Sequence, residues 1–378
     1  MARPASRADV LPEASCLGVR NIDGLLRFVD QALPTLQHRA GLFCYDRKFK
    51  SPNLRGVSVR YSIVVLLGLL KRAPESSSRS IDFEDLHRLI VARVGTLGIG
   101  DLSLLLWAES RMGSLEARDT VARLEFRSRN ESTLAALEGM EAAWFVLGAI
   151  EAVAAGLAPR SLFDRAYAHL LTRRSRSSPL LRHTADGTWR SKLPNFATEV
   201  YGLLALAETA RHGLVQAAAA HARNLADKLI ELRLADGGWP WLYHADHAVV
   251  VEPYEVYSVH QDAMAPMALF ALAEAVGDQS YAVAAAEGLQ WCFGRNELGF
   301  AFYDQARLFA HRSIKRRGPA HQVSLWVNVG LGGLLGRTSR IGMGGVEVNA
   351  TCRPYHLGWI LEAWSGRQHL HALVSPAS

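Results

Sequence analysis

Asp236-Gly-Gly-Trp-Pro-Trp-Leu-Tyr-His-Ala-Asp-His247 runs between two Ala/Leu-rich segments and leads into Glu252-Pro-Tyr-Glu-Val-Tyr-Ser-Val-His-Gln-Asp262. The Gly-Gly pair breaks the preceding helical pattern, and aromatics, carboxylates and histidines crowd the stretch up to the start of the next one. A helix that stops on Asp-Gly-Gly and gives way to an aromatic loop has the form of one unit in a ring of helical hairpins. In such a ring the loop lies over the mouth. No other part of the chain gathers as much potential chemistry.

Outward from this loop, apolar positions recur at helical spacing along almost the whole chain, and period-two runs are scarce. The pattern predicts helices over 22–36, 59–71, 83–94, 102–112, 134–155, 162–172, 196–212, 215–234, 262–276, 280–293, 321–335 and 355–364. Two kinds alternate in the second half. Tyr201-Gly-Leu-Leu-Ala-Leu-Ala, Met267-Ala-Leu-Phe-Ala-Leu-Ala and Val327-Asn-Val-Gly-Leu-Gly-Gly-Leu-Leu are uncharged, whereas Arg223-Asn-Leu-Ala-Asp-Lys-Leu-Ile-Glu-Leu-Arg233 carries charge on one side. A helix that is apolar all round is buried, and an amphipathic one covers it. Helical hairpins with one buried helix each stack on their neighbours. Their irregular spacing, from about forty to about sixty residues, suits a closed ring better than the shorter regular repeats of an open solenoid. The expected fold is all-α, an (α/α)6 toroid of about twelve helices over 21–366, with tails at 1–20 and 367–378.

The run 225–234 followed by Asp236-Gly-Gly-Trp-Pro-Trp resembles the helix-then-DGGW units of α/α toroids. So does Leu289-Gln-Trp-Cys-Phe-Gly-Arg-Asn-Glu-Leu-Gly-Phe300 and, more loosely, Asp186-Gly-Thr-Trp189. Terpenoid cyclases, protein prenyltransferases and six-hairpin carbohydrate-active enzymes share such units. The resemblance covers residues 160–365 and implies an architecture, not a reaction. Arg60-Tyr-Ser-Ile-Val-Val-Leu-Leu-Gly-Leu69 is also similar to toroids associated with bacterial exopolysaccharide synthesis.

Bulk properties narrow the classes. The 378 residues are 49% hydrophobic with 9 Trp, enough for a large core, and the net charge is +6. The basic surplus is scattered apart from Arg173-Arg174-Ser-Arg176 and Arg312-Ser-Ile-Lys-Arg-Arg317, so no basic face for nucleic acid is expected. Cys16, Cys44, Cys292 and Cys352 lie far apart, which argues against a zinc site or a disulfide framework and suits a reduced compartment. Neither a signal-peptide-like apolar run nor a membrane-length one occurs, so a cytoplasmic location is expected. There is no P-loop, GxSxG or well-placed GxGxxG, and no cofactor is expected. The Asp-rich motif of protonation-type terpenoid cyclases is missing too, since Gln261-Asp-Ala-Met-Ala265 carries one Asp. The sequence leaves the oligomeric state open.

In a toroid the N-termini of all inner helices point to one end, where they favour anions. Arg60 and Tyr61, Asp101, Glu138 and Glu141, Asn195 and Glu199, His260 to Asp262, His321 and Gln322, and Arg353, Tyr355 and His356 occupy those starts. Capping accounts for Asp101, Asn195 and Asp262; it does not account for Tyr61, Glu199, His260 or His356. Glu252, Tyr257, His260 and Glu199 are the candidate acid/base groups for sugar chemistry. Arg60, Tyr61, Trp241, Tyr254, Gln261, Asp262, Tyr303, Arg312 and His356 are candidate substrate contacts. Trp239 is read as the plug of its hairpin. Arg312 is placed either to hold a substrate carboxylate or phosphate or to bridge a loop carboxylate. His244-Ala-Asp-His247 is read as a solvated loop, because a catalytic zinc needs three protein ligands. These features predict an epimerase, lyase or hydrolase acting on a small or oligomeric sugar. A terpenoid-cyclase-like enzyme and a non-catalytic glycan-binding scaffold are the alternatives.

Overall fold

A computed structural model of the chain describes residues 19–75, 81–185, 188–318, 325–330 and 345–370. Six helices form a closed inner ring: α2 (Val59–Arg72), α4 (Ile99–Met112), α7 (Gly139–Ala154), α9 (Phe196–Arg211), α11 (Ala265–Val276) and α13 (Pro354–Trp364). Each packs on the next, and α13 returns to α2. Six more cover them: α1 (Ile22–Ala32) on α13, α3 (Phe83–Val91) on α2, α5 (Ala117–Ser128) on α4, α8 (Arg160–Leu171) on α7, α10 (Ala218–Glu231) on α9 and α12 (Ser280–Cys292) on α11. The fold is an (α/α)6 toroid. A short helix α6 (Glu131–Ala135) sits ahead of α7.

The two helix types have the burial their sequences require. Ala142 through Ile150 of α7 are buried without a break, whereas α10 buries only the stripe Ala218, Ala222, Leu225, Ala226 and Leu229. Inner helices approach closely where a side chain is missing. A Cβ on Gly68 of α2 would lie 2.2 Å from the Gly358 carbonyl oxygen of α13, and one on Gly148 of α7 would lie 2.3 Å from the Ser103 carbonyl oxygen of α4.

Two expectations about individual helices are corrected. The outer helix α5 was not foreseen, because its buried stripe of Ala117, Thr120, Val121 and Leu124 is small and partly polar within a charged segment. The helix expected over 321–335 is described only at 325–330, which is helical with Trp326 61% exposed. His321 and Gln322 lie outside the described residues, as do 1–18 and 371–378 of the expected tails. The sixth inner position belongs to α13.

Short strands gather at the N-terminal end of the inner ring. The hairpin β1 (Cys44–Lys48) and β2 (Leu54–Val57) runs into α2, and β3 (Leu242–His244) pairs with β4 (Val249–Glu252) ahead of α11. β5 (Val256–Tyr257) pairs with β8 (Ser313–Arg316), which pairs with β9 (Val346–Asn349). β6 (Tyr303–Asp304) pairs with β7 (Phe309–Ala310), and β10 (Thr351–Cys352) pairs with β1. The β5–β8–β9 and β1–β10 ladders join loops from different hairpins and so fix the rim of the mouth. At the opposite end Arg111 of α4 grips Glu362 of α13 with two bonds of 2.7 and 2.9 Å. Trp107 Nε1 there donates to Glu151 at 3.0 Å.

Candidate functional site

A cleft of about 230 Å³ opens at the N-terminal end of the inner ring, beneath the strands. Its floor is aromatic. Trp144 of α7, Tyr201 of α9 and Trp359 of α13 are buried on the ring interior, with Tyr201 5.3 Å from Trp144 and 5.8 Å from Trp359 between ring centres. Tyr61 and Tyr355, 4.6 Å apart, form one wall, and Tyr257 and Trp241, 5.1 Å apart, form another. Asn195, Met140 and Met264 complete the lining between them.

His260 enters this box from a π-helical turn, His260–Met264, that precedes α11. The sequence explains the widened turn. Pro266 has no N–H to return to the Asp262 carbonyl, and Trp364 Nε1 donates to that carbonyl instead, at 2.6 Å. Such a turn frequently marks a functional position. The imidazole packs against Phe196 at 4.8 Å and Tyr257 at 5.0 Å and lies parallel to Trp241. Its Nδ1 is buried without a hydrogen-bond partner. Burial pushes the His260 pKa down to about 3, with Arg312 and His356 adding to the effect. At neutral pH it is an uncharged imidazole.

Two guanidinium groups line the cleft and differ in kind. Arg60 is neutralised: it donates to Asp101 and, at 2.9 Å, to Glu141, and it lies over the Trp144 ring. Arg312 lies 5.0 Å over the Tyr257 ring, and its Nε is buried without a partner. Among the described residues it forms no ion pair with any carboxylate. Its backbone is locked between Ser258 and Asn349 by bonds of 2.9 and 3.1 Å. Burial pushes the Tyr257 hydroxyl up to about 12, with nearby Glu255 adding to it, and burial raises Tyr355 as well. Both therefore hold their protons and act as donors.

Of the residues singled out from sequence, the structure brings Arg60, Tyr61, Trp241, Tyr257, His260 and Arg312 together around the cleft. The others lie elsewhere. Glu199 is fully buried and accepts from the Leu181 N–H with both oxygens, at 3.2 and 3.0 Å. Glu252 is fully buried, pairs with Arg316 at 3.1 Å and accepts from the Tyr254 N–H. Tyr254 donates outward to Glu297 at 2.6 Å. Gln261 accepts from the Trp239 N–H and donates to the Tyr257 carbonyl.

Asp262 does not cap its helix. It is the centre of a buried cluster, taking hydrogen bonds from Tyr303 Oη at 2.6 Å and Cys292 Sγ at 3.2 Å, with His356 Nε2 at 2.8 Å. Asp101 likewise binds Arg60 and caps nothing, whereas Asn195 caps α9 through the Thr198 N–H. Trp239 is buried, as expected of a plug. The histidine loop is less solvated than expected: His244 is buried and lies 4.5 Å from the His247 ring, while Asp246 is committed to Arg182 and Lys192.

The sequence reading missed the floor. Trp144, Tyr201 and Trp359 sit a turn or more inside uncharged helices, where an aromatic residue reads as core. Tyr355 was visible as a helix start and was not carried into the site. Large polar-tipped aromatics on the helices predicted to be innermost were the available signal.

No protein-family model and no curated protein matches this sequence. Solved structures share its fold. An unsaturated glucuronyl hydrolase specific for heparin superposes with a TM-score of 0.60 at 14% identity, covering 93% of this chain and 98% of its own. The cellobiose 2-epimerase from Bacillus thermoamylovorans gives 0.61 at 9% identity, covering 92% and 99%. A D-mannose isomerase gives 0.57 at 14% identity, covering 82% and 96%. At these identities the likeness is one of architecture.

Proposed function

We propose that this chain is a carbohydrate-active enzyme that moves a proton on a sugar carbon, an epimerase or isomerase, with His260 as the base. The observation that carries this reading is the chemistry of the cleft. An uncharged, buried imidazole faces a box of aromatic rings, and among the described residues no carboxylate lines the box. Glycoside hydrolysis ordinarily requires two carboxyl groups flanking the bond, roughly 5 to 10 Å apart. Glu199 and Glu252, which the sequence offered for such a role, and Asp262, expected to contact substrate, are engaged in buried contacts away from the cleft. The rings of Trp241, Tyr61 and Tyr355 suit stacking on the apolar faces of a sugar.

In this mechanism His260 takes a proton from a carbon next to a carbonyl or carboxyl group of the substrate. The Tyr257 or Tyr355 hydroxyl donates a hydrogen bond to the oxygen on which charge develops. Return of the proton from His260 to the neighbouring carbon, with the hydroxyl proton passing to the former carbonyl oxygen, gives the isomer. Return to the same carbon after the planar intermediate has turned its other face to His260 gives the epimer. The resemblance to exopolysaccharide-associated toroids supports a sugar or polysaccharide intermediate as substrate. The cyclase alternative loses support, because Gln261 and Asp262 at the relevant helix start are turned into protein contacts.

The test is exchange of carbon-bound hydrogen with solvent. Sugars, sugar acids and sugar phosphates are incubated with the protein in D2O and followed by proton NMR. The wild type is expected to wash out one C–H signal of its substrate, and His260→Asn to slow this by at least about 100-fold. The variant should melt close to the parent. Exchange that persists in His260→Asn, or a substrate consumed by glycosidic cleavage with no exchange, rules the proposal out.

A further inference from the structure

The charges of the cleft are unevenly paired. Arg60 meets two carboxylates, Asp101 and Glu141. Arg312 meets none among the described residues, and the nearest acidic group on its own loops, Glu255, is held by Ser313 Oγ at 2.6 Å and Asn349 Nδ2 at 3.3 Å. Arg353 on the adjoining wall, partly exposed, likewise forms no ion pair among the described residues. It donates to Tyr61 and Tyr45 hydroxyls at 2.8 and 3.1 Å, and its Nε is buried without a partner. Taking a guanidinium out of water without a counter-ion is unfavourable, and proteins ordinarily supply one. Here the protein supplies aromatic faces and no directly paired carboxylate: Glu255 acts on Arg312 only through space, its own bonds going to Ser313 and Asn349.

We infer that the substrate brings the missing charge: the sugar carries an anionic group, a carboxylate or a phosphate, that docks on Arg312 beside His260. This rests on the sugar-active reading above and narrows its substrate class. The geometry is suited to the task. The Arg312 guanidinium lies against the Tyr257 ring at the cleft, and its planar fork matches carboxylate and phosphate oxygens. Tyr257, under the guanidinium, keeps its proton and adds a donor. The anion also changes the basicity of His260. Burial, with Arg312 adding to it, holds His260 a poor base, and an anion on Arg312 cancels the Arg312 part of that effect and moves the imidazole towards a useful basicity.

The inference is tested by calorimetry and thermal shift with D-glucuronate, D-glucose 6-phosphate, D-glucose and inorganic phosphate. At least one charged sugar is expected to bind ten times or more tighter than D-glucose, and which one distinguishes carboxylate from phosphate. Arg312→Gln should erase that preference while melting no lower than the parent, because it removes an unbalanced cation. Arg312→Lys should keep part of the preference. His260→Asn should keep the binding and lose the C–H exchange.

D-glucose binding as tightly as both anions, or a preference that survives in Arg312→Gln, overturns the inference. So does inorganic phosphate competing equally well in Arg312→Gln and the parent. The two readings fail separately. Charged-sugar binding through Arg312 without C–H exchange sinks the proton-transfer reading alone. Exchange on neutral sugars, indifferent to Arg312→Gln, sinks the anion inference alone.

Discussion

Replacing Glu252 by Gln separates a structural carboxylate from a catalytic one. Glu252 is fully buried, and its partner Arg316 is 7% exposed in its side chain and lies 4.6 Å over the Tyr254 ring. Neutralising the acid leaves that guanidinium buried without its counter-ion, which costs about 3–5 kcal/mol. Unfolding entropy near the midpoint is about 2.1 cal/mol/K per residue. Over 378 residues this is about 0.8 kcal/mol/K, so Tm should fall by about 4–6 °C. Differential scanning calorimetry reads the shift directly. The double change Glu252→Leu with Arg316→Met removes both charges and should recover most of the loss, since a buried pair is often replaceable by apolar groups. If Glu252→Gln melts within about 1 °C of the parent while substrate turnover collapses, the carboxylate belongs to the chemistry. The cleft as drawn would then be the wrong site.

Acid should destabilise the fold through its buried histidines. Burial holds His260 down to about 3 and His311 to about 4, so between there and the ordinary value near 6.5 the unfolded chain binds more protons and stability falls as pH falls. At pH 5 each group contributes a loss of about 2 kcal/mol, seen as a lower Tm than at pH 7.5. His311→Phe, within its cage of Phe49, Phe300 and Phe309, should narrow that gap, and an unchanged gap refutes the assignment. Gly68→Ala should lower Tm despite a gain of about 1 kcal/mol in helix propensity, because overpacking costs about 1–3 kcal/mol and the contact falls on backbone. Gly95→Ala, with open space around it, should be near neutral in the same melt.

The ring was legible because its code is local. Uncharged runs such as 201–207 and 267–273 can only be interior, and Asp236-Gly-Gly-Trp marks the end of a hairpin in sequence alone. The outer helix α5 escaped because Ala117 and Thr120 bury as little apolar surface as loop residues do. The site was half legible. His260 and Tyr257 stand where a loop meets a helix start, a junction a sequence shows, and Arg312 stands in the basic knot between β7 and β8. A sequence does not show which way a carboxylate at the same junction turns. Glu252 and Asp262 were drawn inward by Arg316 and His356, partners 64 and 94 residues away. The aromatic floor was hidden for the opposite reason: Trp144 and Trp359 look the same whether they face a cavity or a core.

The sixth inner helix, α13, rests on α2 at one edge and on α11 at the other, and α1 covers its outside. During synthesis the first five inner helices therefore emerge as an arc with two unsealed apolar flanks. Stacking of each hairpin on the last is local and fast, but closure waits for residues 354–364 to reach back nearly three hundred positions to α2. Contacts of that span slow folding, and an arc held open exposes surface that neighbouring chains can occupy. Gly358 against Gly68 is the last seam to be made, so changes there should show first as poor yield of soluble protein and only then as altered catalysis.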